Sequence, residues 1–156
     1  MKKVLFVILI LTLLLTMAAP VGATPLSEVY IEVETSFLGA PSPFVASGPA
    51  VDDGLICETG DVVEDSSKVT GFSSNGFNAQ VIKHFICDDG SGEFLVNLQA
   101  RIDFRKGVSF NWNVISGTGD YENLHGAGSG SGTGGVPCGD PNLCILDLYD
   151  GGLHMD

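Results

Sequence analysis

The chain has 156 residues, 19 acidic and 7 basic, and a formal charge of −12. So acidic a surface repels phosphate backbones and anionic lipid, which makes nucleic acid and acidic membranes poor partners and solubility the plain reading. The length suits one domain around one core.

Lys2 and Lys3 precede a nearly unbroken apolar run, Val4 to Leu15, and Pro20 follows it. Val21-Gly22-Ala23 then offers small residues at the −3 and −1 positions, so residues 1–23 read as a signal peptide cleaved after Ala23, with Ala19 as the second choice. The apolar run falls short of the roughly 20 residues a membrane-spanning helix needs. No membrane span is expected after processing, and a secreted or periplasmic protein is. The first cysteine is Cys57, far from the junction, which argues against a lipid anchor. The expected mature domain, 24–156, loses Lys2 and Lys3 and so goes from −12 to −14. Its fixed cations are Lys68, Lys83, Arg101, Arg105 and Lys106.

The four cysteines are Cys57, Cys87, Cys138 and Cys144. An even number in an exported chain favours disulfides, and three pairings are possible. Cys57–Cys87 with Cys138–Cys144 is preferred. The second pair closes a short loop whose Asp140-Pro141-Asn142 reads as a turn, and the first staples two strands. Zinc, with His125 and His154 as added ligands, is the competitor, but the spacing matches no paired Cys-x-x-Cys site. No metal and no cofactor are expected.

Beyond the signal, period-2 alternation dominates. Val29, Ile31 and Val33 alternate with Tyr30, Glu32 and Glu34. Phe94, Val96, Leu98, Ala100, Ile102 and Phe104 share one face. Val108, Phe110, Trp112 and Val114 follow with the same period, joined through Arg105-Lys106-Gly107 as a hairpin. Ala79 to Cys87 and Cys144 to Tyr149 are apolar on both faces, and Gly54 to Glu58 and Val69 to Phe72 are shorter candidates. Asp52-Asp53-Gly54, Asn75-Gly76, Asp88-Asp89-Gly90 and Asp150-Gly151-Gly152 read as turns. About eight short strands imply a sandwich or a barrel, and a barrel is preferred because closure removes exposed edges.

Gly126 to Gly135 is a flexible linker by composition. By period it is a strand with glycine at every even position through Gly134, a face of hydrogens that admits bulky groups such as Phe110 and Trp112. The preceding stretch, Ser116-Gly117-Thr118-Gly119-Asp120-Tyr121-Glu122-Asn123-Leu124-His125-Gly126-Ala127-Gly128, favours the strand. It resembles the Gly-Thr-Gly-x-aromatic signature of the allene oxide cyclase and dirigent-like barrels, and looks closest to their small bacterial secreted relatives. Phe85-Ile86-Cys87-Asp88-Asp89-Gly90-Ser91-Gly92-Glu93-Phe94 is similar to the hairpin that precedes it there, so the resemblance runs from roughly Gln80 to Thr133. It implies an antiparallel barrel in which a Gly-Thr-Gly turn leads through one helical turn into a glycine-rich strand. Gly117 and Gly119 suit positive φ, and Tyr121 and Leu124 suit one inner face. Allene oxide cyclases isomerise a fatty-acid epoxide and dirigent proteins orient phenolic radicals; no polar site residue of either family aligns here.

The remaining candidates are single residues. His84 lies mid-strand, where a hydrogen-bonded sheet residue is commoner than an acid or base. His125 lies near Asp120 and Glu122, without a nucleophile on a strand–turn–helix elbow. The paired aspartates of the turns lack a calcium-loop pattern. Phe94, Phe104, Phe110 and Trp112 are the expected lining of a ligand cavity if the barrel is hollow. No acid–base pair falls on the inward phase of the clearly read strands. The expectation is therefore a non-catalytic secreted barrel taking a small apolar or aromatic ligand in or at its mouth. The alternative is a cyclase- or isomerase-like enzyme acting on an apolar substrate in the lumen.

Overall fold

Alternation becomes architecture in the computed structural model, which describes residues 25–36, 41–134 and 144–156. The expected signal segment and Cys138, and with it the Cys138–Cys144 pairing, lie outside the described residues. The strands are β1 (Ser27–Ser36), β2 (Ser42–Ser47), β3 (Thr59–Ser73), β4 (Gly76–Cys87), β5 (Gly92–Asp103), β6 (Gly107–Gly119), β7 (Leu124–Gly134) and β8 (Cys144–Met155). Each pairs antiparallel with the next, and β8 pairs back onto β1 from Ser27↔Leu153 to Ser36↔Cys144. The result is a closed antiparallel barrel of eight strands.

Several local expectations need correction. Gly54 to Glu58 is not a strand. Pro49, whose fixed φ suits a first helical position, opens a short helix, α1 (Pro49–Asp52), and the chain continues through a turn in which the Leu55 amide bonds the Ala50 carbonyl. Asp150-Gly151-Gly152 is not a turn but the middle of β8, where a side chain on Gly151 would meet the Trp112 ring and the backbone of Gly128. Strand β2, whose Ser42, Phe44 and Ala46 are buried, sits between prolines and escaped the alternation reading. Of the two turn glycines, Gly119 has φ 61°, whereas Gly117 has ordinary φ and is needed because the backbone of Tyr121 presses against it.

The segment 126–134 is strand, as its period implies. Phe110↔Gly130 and Trp112↔Gly128 are register partners, and both rings occupy space that side chains on β7 would have taken. The Trp112 indole donates to the Ser129 carbonyl at 3.1 Å. At the end of the barrel that carries α1 and the 88–91 and 120–123 connections, the interior is solid. Phe85 stacks on Phe94 at 4.9 Å between centroids and meets Phe44 and Tyr149 edge-on. Phe94 meets Tyr121 at 5.5 Å, and Tyr149 is also flanked by Phe110 and Trp112. Each fully buried aromatic of this kind contributes about 1.5–3 kcal/mol. The Cys57–Cys87 disulfide ties the chain after α1 to the end of β4. Beneath it the Tyr121 hydroxyl accepts the Cys57 amide at 3.1 Å and shares a hydrogen bond with Ser91.

Candidate functional site: a half-hollow barrel with an ion pair at its floor

Burial falls steadily along β5. Phe94, Val96 and Leu98 are buried, Ala100 and Ile102 are half-buried, and Phe104 is exposed. The opposite half of the barrel is correspondingly open. It holds a cavity of about 410 Å³ whose apolar walls include Val81, Leu98, Ala100, Ile102, Val108 and Phe110. This lies within the size range of small-molecule sites. Short strand β2 helps to create it: β3 pairs with β2 only from Thr59 to Val62, then continues with β4 alone to Ser73.

The floor is polar. Lys83 on β4 and Asp147 on β8 are both buried, and the ammonium donates to Asp147 Oδ2 at 2.8 Å. The Thr35 hydroxyl on β1 accepts from Lys83 Nζ at 2.8 Å and donates to the same Asp147 oxygen at 2.7 Å. Three strands distant in sequence thus contribute one closed triad, and all three side chains line the cavity. Lys83 sits one inward step deeper than Val81 and level with buried Val96. An ammonium has three hydrogens and two are taken here, so one remains for a ligand oxygen. Because the pair is neutral overall, the floor suits a carbonyl or hydroxyl better than a free carboxylate.

Behind the triad stands Tyr149. Its hydroxyl is buried and has no hydrogen-bond partner. Burial first, and the neighbouring Asp147 carboxylate second, push its pKa well above the ordinary tyrosine value.

The four aromatic residues expected at a ligand site divide. Phe110 lines the cavity. Phe94 and Trp112 are buried in the solid half, packed on Tyr121 and Tyr149 respectively. Phe104 keeps the inward phase, but β5 ends at Asp103, so its ring stands at the rim, 6.2 Å from Phe77 and 57 % exposed. The acid–base pair Lys83 and Asp147 comes from β4 and β8, outside the clearly read strands β5 and β6 to which the expectation of no inward acid–base pair applied. His84, the residue singled out on β4, faces outward and meets Glu93 at 2.7 Å.

Other candidates have local roles. Asp89 accepts from the Ser91 hydroxyl and amide, which hold its carboxyl below the usual range. The Asp103 carboxylate accepts the amides of Arg105 and Lys106, and the first of these bonds lowers its pKa most. His125 and His154 stack at 5.4 Å and both approach Asp156. Among the described residues no group of three or more His, Cys, Asp or Glu side chains is placed to hold a metal ion. None of the helices among them is long and apolar enough to cross a membrane. No protein-family model, curated protein or solved structure matches the chain.

Proposed function

We propose that this protein is an exported binding barrel for a small, largely apolar ligand carrying one neutral hydrogen-bonding group. The observation behind this reading is the apolar cavity of about 410 Å³ ending on the Lys83–Asp147–Thr35 triad. Apolar walls supply affinity through burial, and the one remaining Lys83 hydrogen orients the ligand's oxygen. The disulfide is compatible with an oxidising compartment, and the sequence of residues 1–23 with export.

The test is titration with 1-aminoanthracene, a neutral polycyclic fluorophore. Saturable uptake at one site per chain is expected. A100W, which fills the cavity from β5, abolishes that site. Uptake that never saturates, or is indifferent to A100W, contradicts the proposal.

The same ion pair favours a second reading, an isomerase-like enzyme in which Lys83 and Asp147 move protons on a bound apolar substrate. The resemblance to allene oxide cyclases points to a fatty-acid epoxide as the probe. Product formation that vanishes in D147N while dye uptake persists supports the enzyme; absence of product from the unaltered protein supports binding alone.

A further inference from the structure

We propose that the rim formed by the tips of the β3–β4 and β5–β6 hairpins docks onto anionic phospholipid bilayers. The apolar face of the cavity does not stop at its mouth. It runs outward onto Val69 and Phe72 of β3 and onto Phe104, which are 58 %, 78 % and 57 % exposed. Phe77 bridges the two hairpins, stacked with Phe72 at 6.4 Å and tilted against Phe104 at 6.2 Å. These rings pack on one another rather than on the core, and exposed Phe side chains can bury into the headgroup–acyl boundary of a bilayer.

Charge supplies the second, independent observation. The fixed cations among the described residues, five in all, fall between Lys68 and Lys106. Lys83 is committed to Asp147. The other four are exposed: Lys68 adjoins Val69, Arg101 adjoins Ile102, and Arg105 and Lys106 follow Phe104 in its turn. Asp103 is the acid within that turn, and its carboxylate is engaged by the turn's own amides. Asp52, Asp53, Asp88, Asp89, Asp120 and Glu122 belong to connections at the opposite end of the barrel. Four exposed cations therefore lie beside the exposed rings, against Asp103 in the same turn and Glu64 on the cavity wall with Lys68, whereas the opposite end carries six acids. An anionic surface attracts the rim end and repels the other, even though the whole chain is acidic. Apolar groups interleaved with Lys and Arg match an anionic bilayer, whose interface offers charge outside and hydrocarbon beneath. The cavity mouth would then face the membrane, but the docking does not depend on the cavity holding a ligand.

The test uses the full chain with the substitution F104W, read by quenching of the new indole with brominated phospholipid. Wild-type protein, whose Trp112 is buried, gives the baseline. Vesicles of phosphatidylglycerol and phosphatidylcholine should quench the F104W indole strongly, and pure phosphatidylcholine only weakly. Adding R105Q and K106Q should raise the lipid concentration needed for half-maximal quenching roughly tenfold or more. Because the readout is local to the rim, the apolar N-terminal run does not produce it. No quenching above baseline, equal quenching on the neutral vesicles, or quenching unchanged by R105Q/K106Q overturns the proposal.

Discussion

Phe110 lies directly across from Gly130 on the adjacent strand, and its ring fills the volume that a side chain at Gly130 would need. That relationship explains how a segment reading as a tether becomes a barrel wall. Strand β7 contributes little to the core except backbone, and β6 fills the gap with Phe110 and Trp112.

A methyl group at Gly130 would meet both the Phe110 ring and the Leu148 carbonyl, and the carbonyl cannot step aside. G130A is therefore expected to cost about 1–3 kcal/mol. Combined with F110A, the two losses should fall short of additivity, because the ring clash is gone. Denaturant unfolding of the three variants measures this. Strict additivity would mean that ring and glycine do not share the space.

Removing the disulfide with C57A/C87A frees a loop with a sequence separation of 30. The expected loss is about 3–4 kcal/mol. Reduction of the unaltered protein should lower the thermal midpoint at least as far. An unchanged midpoint would mean that Tyr121, which also ties this corner, suffices alone.

Lys83 and Asp147 are buried on both sides of one bond, so deleting either leaves the other charge without its partner. K83M or D147L alone is expected to cost about 3–5 kcal/mol, whereas K83M/D147L together should recover most of that loss. If each single variant is as stable as the parent, the pair is not holding the barrel together.

Tyr149 gives the fold an alkaline limit. Its folded pKa is raised and its unfolded value is near 10.0, so the native state holds the proton longer than the unfolded chain. This contribution is complete below pH 10.0 and is lost as pH rises through the folded pKa. At the acid end the sign reverses. Asp89 and Asp103 are lowered from 3.8, so their contribution is present above that value and fades as pH falls through their folded pKa. Y149F should flatten the alkaline decline and leave the acid one intact. At neutral pH it should raise stability by about 1 kcal/mol, since it deletes a buried hydroxyl without a partner. An alkaline decline identical to that of the parent would place the responsible group elsewhere.

The closed barrel was legible because β1, β5 and β6 alternate cleanly and the glycine period on β7 complements β6. The triad was not, and the reason is phase. On β4, Ile82 and Ile86 are as apolar as Val81 and Phe85, so nothing in the alternation tells which set faces inward. Cys87 supplies the missing signal: a cysteine bridged to buried Cys57 must point in, and counting back by twos reaches Lys83 and leaves His84 outside. On β8, outward Leu146 and Leu148 disguise Asp147 in the same way, and only pairing with β1 brings it to Thr35. Phe104 shows the converse failure, since an unbroken period cannot reveal where a strand leaves the barrel.

The half-hollow barrel is tested most directly by mapping methyl resonances during titration with 1-aminoanthracene. Saturation should move the signals of Val81, Leu98, Ile102 and Val108, which line the cavity, and leave those of Val29 and Leu153, buried toward the solid end, almost still. Shifts scattered over the surface, or none around Val81 and Ile102, would contradict it.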